Sequence, residues 1–128
     1  MSALVLDAGA FVAVDRGDRA MIARLRAAQL HGQDLRTNSM VVARVWRDDH
    51  GRQVGLARLL HAVEVRSIGD REGRAAGSLC AMSRTSDPID ASVVLLAEPG
   101  DRILTSDPDD LTRLTGAASR RAVIIDCG

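Results

Sequence analysis

Ala3-Leu4-Val5-Leu6-Asp7-Ala8-Gly9-Ala10-Phe11 reads as a short apolar strand that ends on an acid and passes directly into a helix. The same arrangement returns near the other end, where Arg102-Ile103-Leu104-Thr105-Ser106 leads into Asp107-Pro108. Between them, Asp87-Pro88-Ile89-Asp90-Ala91 is an acidic start to another helix. Three carboxylate sites at element junctions, far apart in sequence, predict an acidic pocket where a sheet meets helix N-termini. Gathered carboxylates repel one another, and a hard cation taking oxygen ligands is what usually holds them together.

Outward from these junctions, short apolar runs alternate with longer amphipathic ones, the pattern of an α/β fold with a mainly parallel sheet. Strands are predicted at about Ala3–Leu6, Asp34–Thr37, Val63–Ser67, Arg102–Thr105 and Ala122–Asp126. Helices are predicted around Ala8–Asp15, Arg19–His31, Met40–Asp48, Arg52–His61, Arg71–Ser83, Asp87–Ala97 and Pro108–Leu114. Met21, Ile22, Leu25 and Ala28 fall at helical spacing, and Asn38 or Ser39 suits the N-cap of the third helix. No linker, repeat or low-complexity tract interrupts the chain, so residues 1–128 read as one domain.

Net charge is zero, so no global field draws the chain to nucleic acid or membrane, and an anionic partner must be met by a local patch. All 17 basic residues are Arg, which suits bidentate phosphate contacts better than Lys. Cys80 and Cys127 are too few and too far apart for a zinc ribbon or a redox pair, and are read as reduced, buried thiols. The N-terminal stretch lacks a basic region and carries Asp7, which argues against a signal peptide. Apolar runs such as Val93 to Ala97 are far too short to span a bilayer. A cytoplasmic location without membrane contact is expected.

Each key acid also has a structural use. Asp7 suits an N-cap, Asp87 precedes Pro88 with Asp90 three residues on, and Asp107-Pro108-Asp109-Asp110 repeats that design. An acid at a helix N-terminus contributes about 0.3–1 kcal/mol through the macrodipole. The joint pattern asks for more. In a doubly wound sheet, ligands sit beyond the carboxyl ends of the strands where the strand order reverses. Asp7 and Asp107 both follow strands directly, whereas Asp90 is expected at that edge only if its helix tilts or its loop folds back.

The segments Leu4-Val5-Leu6-Asp7-Ala8-Gly9-Ala10, Asp87-Pro88-Ile89-Asp90-Ala91 and Leu104-Thr105-Ser106-Asp107-Pro108-Asp109-Asp110-Leu111 resemble, in their order, the acidic motifs of PIN-domain ribonucleases, in a chain of about that family's length. The whole looks like the toxin half of a VapBC-type toxin–antitoxin pair. The resemblance spans nearly the full chain. It implies a five-stranded parallel sheet of order 3-2-1-4-5 flanked by helices. It also implies that Asp7, Asp90 and Asp107 are the catalytic acids and the ligands of Mg²⁺, for which Mn²⁺ can substitute. Thr105 or Ser106 would match the hydroxyl that accompanies the last acid, with Asp87 and Asp109 as auxiliary carboxylates.

Members of that family carry a Glu on the helix after the second strand, and Arg44 stands there in Val42-Ala43-Arg44-Val45-Trp46. An Arg cannot ligate a cation. The pocket therefore loses a ligand or takes one from elsewhere, Asp48 being the candidate one turn along. Alternatively, Arg44 pairs with the acids or contacts a substrate phosphate.

The resemblance further implies an endoribonuclease that hydrolyses phosphodiester bonds in structured RNA of the tRNA or rRNA class, leaving 5′-phosphate and 3′-hydroxyl ends. It implies a homodimer silenced by a cognate VapB-like antitoxin. Arg44, Arg47 and Arg52 are the candidate RNA contacts. Aromatic stacking platforms are nearly absent, and Trp46 is read as a packing residue. The alternative is a PIN-like binding module for an antitoxin or RNA, without catalysis. Other enzyme classes drop out, for there is no Lys for a phospho-acceptor domain, no Gly-x-Ser-x-Gly elbow and no metal-binding His spacing.

Overall fold

A computed structural model describes residues 2–48, 51–85, 87–119 and 122–127. Its strands are β1 (Ala3–Leu6), β2 (Asp34–Asn38), β3 (Glu64–Arg66), β4 (Arg102–Thr105) and β5 (Val123–Asp126). They form one sheet in the order β3-β2-β1-β4-β5, with every pairing parallel. The helices are α1 (Ala8–Asp15), α2 (Arg19–Leu30), α3 (Ser39–Val45), α4 (Val54–His61), α5 (Asp70–Ser83), α6 (Pro88–Leu96) and α7 (Pro108–Ala117). This is the α/β fold and the 3-2-1-4-5 order that the resemblance implies.

The apolar run Ala3–Leu6 is buried at all four positions because β1 is central, paired on both edges and covered on both faces. The right-handed crossover rule puts α1 to α4 over one face, where α1 packs on α2, α3 and α4. The return from β3 to β4 and on to β5 places α5, α6 and α7 over the other, again packed together. Phe11, Leu6, Leu56, Ile103, Leu104, Leu111 and Leu114 are fully buried between these layers.

Several boundaries differ from expectation for local reasons. The third helix stops at Val45, not Asp48, because Trp46 turns to extended backbone and Asp48 takes φ +49°. The third strand keeps only Glu64–Arg66 of the expected Val63–Ser67, since an edge strand has one neighbour to pair with. The last helix runs on from Leu114 to Ala117. Cys80 and Cys127 are free, as expected, but half-buried. No helix among the described residues is long and apolar enough to cross a membrane.

Candidate metal centre

The strand order reverses between β1 and β4, and both strands end on the acids singled out above. The Asp7 N–H still donates to Leu104 O at 3.0 Å, which extends the ladder to the point where α1 begins. Asp7 and Asp107 occupy the N-cap positions of α1 and α7, yet neither carboxylate makes a capping hydrogen bond. Their side chains are left for another task. Asp87 is different, for its Oδ1 caps α6 by accepting from the Ile89 N–H at 2.9 Å and the Asp90 N–H at 3.3 Å.

Thr105 ties the two strand ends together. Its fully buried hydroxyl donates to Asp7 Oδ2 at 2.8 Å and accepts from the Asp107 N–H at 3.0 Å. The other oxygen, Asp7 Oδ1, is buried without a hydrogen-bond partner among the described residues. Buried polar atoms are nearly always satisfied, and an orphaned carboxylate oxygen points to an ion or water that completes it.

Asp90 reaches the same edge by the ordinary course of the crossover. A helix that leads into the start of a parallel strand begins at the carboxyl edge, so no returned loop is required. Asn38, fully buried at the end of β2, caps α3 through the Met40 and Val41 N–H groups at 2.9 and 3.1 Å. Its amide also donates to Ser92 Oγ on α6 at 3.0 Å, which ties the start of α3 to the middle of α6. Burial pushes the Asp90 carboxyl up to about 7, helped by the charges of Asp7, Asp87 and Asp107 and opposed by Arg44.

One carboxylate oxygen each from Asp90, Asp107 and Asp110 lie within 4.8 Å of one another. Asp110 is therefore brought into the cluster, while Asp109 is exposed on the first turn of α7. The Asp107 charge, with a hydrogen bond between the two carboxyls, raises Asp110 above the usual carboxylate range. The signal for Asp110 was its spacing of three residues from Asp107, which puts both on one side of the first turn.

Arg44 settles among the acids. Its Nη2 donates to Asp87 Oδ1 at 3.0 Å and Oδ2 at 2.8 Å, and its Nη1 lies 3.6 Å from Asp90 Oδ1. Burial alone would raise Asp87, but the Arg44 bond and the helix N–H groups hold it below the usual range. Asp48 does not supply a replacement ligand on this face, because α3 ends before it and its backbone turns away. Ser106 is exposed and faces Gly9, so Thr105 is the hydroxyl that meets Asp7. Arg47 folds back on its own helix end, donating to Ala43 O and Trp46 O at 3.1 and 2.8 Å. Arg52 is exposed in the loop before α4, and Trp46 is half-buried against the core.

The backbone is similar to that of a chain in the crystal structure of VapBC2 from Rickettsia felis bound to a DNA fragment from their promoter. The TM-score is 0.71 over 98% of this chain and 99% of that one, at 11% sequence identity. At that identity the likeness is one of fold. No family model matches the chain, and no curated protein matches its sequence.

Proposed function

We propose that this chain is a metal-dependent endoribonuclease, the toxin of a VapBC-type pair, with Asp7, Asp90 and Asp107 as its catalytic acids. The observation that carries the reading is Asp7 Oδ1, a buried carboxylate oxygen without a partner among the described residues, whose charge acts on Asp90 of the Asp90, Asp107 and Asp110 cluster. Neither Asp7 nor Asp107 caps its helix, so a capping role accounts for neither.

The donor set is all oxygen, which fits a hard divalent cation such as Mg²⁺ or Mn²⁺. Asp7, Asp90 and Asp107 would hold it, with Asp110 alongside. When bound, the ion supplies a water of lowered pKa and shields the charge of the phosphodiester. The chain does the positioning. Thr105 fixes the Asp7 carboxylate through Oδ2 and leaves Oδ1 free to ligate. The Asn38–Ser92 bond ties the helix that carries Asp90 to the end of β2, and the partly exposed Arg44 guanidinium offers a positive charge to an incoming phosphate. Arg47 and Arg52 extend that charge along the rim, with structured RNA of the tRNA or rRNA class as substrate.

A cognate VapB-like antitoxin is the proposed inhibitor, supported by the likeness of this fold to a chain of the VapBC2 assembly. A cytoplasmic homodimer completes the reading. A second reading has an observation of its own. Arg44 already neutralises Asp87 and approaches Asp90, as a metal-free binding module for an antitoxin or RNA would require.

Incubation of purified protein with total cellular RNA separates the two, using Mg²⁺ or Mn²⁺, a chelator, and the Asp7→Asn variant. The nuclease gives metal-dependent cuts that vanish in the variant. Intact RNA with folded, antitoxin-free protein would select the binding module.

A further inference from the structure

We propose that Arg44 is a built-in cation of the acidic centre and limits the chain to one divalent ion, held where Asp90 meets Asp107 and Asp110. This rests on the metal reading above and concerns what Arg44 does to that metal.

The guanidinium is held at a fixed point. Asp87 cannot follow a wandering partner, because its carboxylate is tied to the Ile89 and Asp90 N–H groups at the start of α6. Arg44 grips both Asp87 oxygens from α3, whose own start is tied to α6 through Asn38 and Ser92. The remaining arm, Nη1, is thereby delivered to 3.6 Å from Asp90 Oδ1. Asp90 thus has a permanent positive charge on its Asp87 side. An Arg keeps that charge at every working pH.

Paired-metal centres place two ions about 3.5–4 Å apart around shared carboxylates. Here a second ion on the Asp87 side would meet a like charge at contact distance. It would also have to break two charge-assisted hydrogen bonds. Among the described residues Arg44 pairs with Asp87 and Asp90 and not with Asp107 or Asp110. Asp107, Asp110 and Asp90 each bring one carboxylate oxygen within 4.8 Å of the others. The centre therefore has one seat for a metal and one occupied by its own side chain.

Titration calorimetry with Mn²⁺, checked by the electron paramagnetic resonance of free Mn²⁺, tests this on the wild type, Arg44→Gln and Arg44→Glu. Gln removes the charge and keeps a polar, uncharged side chain at this position, so it serves if the Glu variant fails to fold. One ion per wild-type chain is expected. Arg44→Gln should bind that ion at least about tenfold more tightly, and Arg44→Glu should take a second. Two ions in the wild type, or one ion with unchanged affinity in Arg44→Gln, would overturn the proposal while leaving the metal centre standing. No binding by any of the three proteins would bring down the metal reading and this inference with it.

Discussion

The Thr105 hydroxyl donates to Asp7 Oδ2 at 2.8 Å, linking the ends of the neighbouring strands β4 and β1. Both groups are buried, so the bond cannot be replaced by solvent. Thr105→Val keeps the shape and removes the donor, which leaves a second Asp7 oxygen unsatisfied. A loss of about 1–3 kcal/mol in urea unfolding is expected, and Thr105→Ser should recover most of it. Equal stability of Val and Thr would show that the bond contributes nothing.

Gly9 permits the close approach of α1 to the turn that carries Asp107. A Cβ there would stand 2.7 Å from Ser106 Oγ, 2.9 Å from Ser106 Cβ and 3.2 Å from Cys127 Sγ. Gly9→Ala must push that turn away, at about 1–3 kcal/mol for overpacking, and weaken Mn²⁺ binding as Asp107 moves. Ser106→Gly in the same chain should relieve both defects. A double variant no better than Gly9→Ala would place the strain elsewhere.

Asp90 makes folding pH-dependent. Its carboxyl titrates near 7 in the folded protein against 3.8 ordinarily, so the folded state holds the proton more tightly. That contribution is fully present below about pH 4 and is lost as pH rises through about 7. In chelator, Asp90→Asn should therefore gain stability relative to wild type between pH 5 and pH 8, by at most about 2.7 kcal/mol. Urea unfolding at the two pH values reads this directly. A difference that does not change with pH would contradict it.

Asp7→Asn separates folding from metal binding. Asn can still accept from Thr105, and it removes a like charge beside Asp90, so the metal-free variant should melt no lower than wild type. Mn²⁺ at about a hundred times its Kd should add about 2.7 kcal/mol to the wild type and nothing to the variant. Equal thermal shifts in the two proteins would remove Asp7 from the ligand set.

The central strands were plain in the sequence because Ala3–Leu6 and Arg102–Thr105 are short apolar runs bounded by acids, and both stand where expected. The sheet order came from the resemblance, not from periodicity. Ends decided by backbone rotation were hidden, as at Trp46, where an apolar pattern continues past the residue that leaves the helix. Within the site, Asp109 was the acid expected beside Asp107; the spacing of three residues puts Asp110 on that side instead, and the packing of α7 against α6 brings it to Asp90. The role of Arg44 was open among ligand loss, ion pairing and phosphate contact. The Asn38–Ser92 tie between α3 and α6, with no local sequence signal, brings it to Asp87.

The most direct test is a crystal of the antitoxin-free protein grown with Mn²⁺, with anomalous scattering recorded at the manganese edge. A single peak bound by Asp7 Oδ1 and by the Asp90 and Asp107 carboxylates is the result expected. A well-ordered site with no peak, and with water donating to Asp7 Oδ1, would contradict the account.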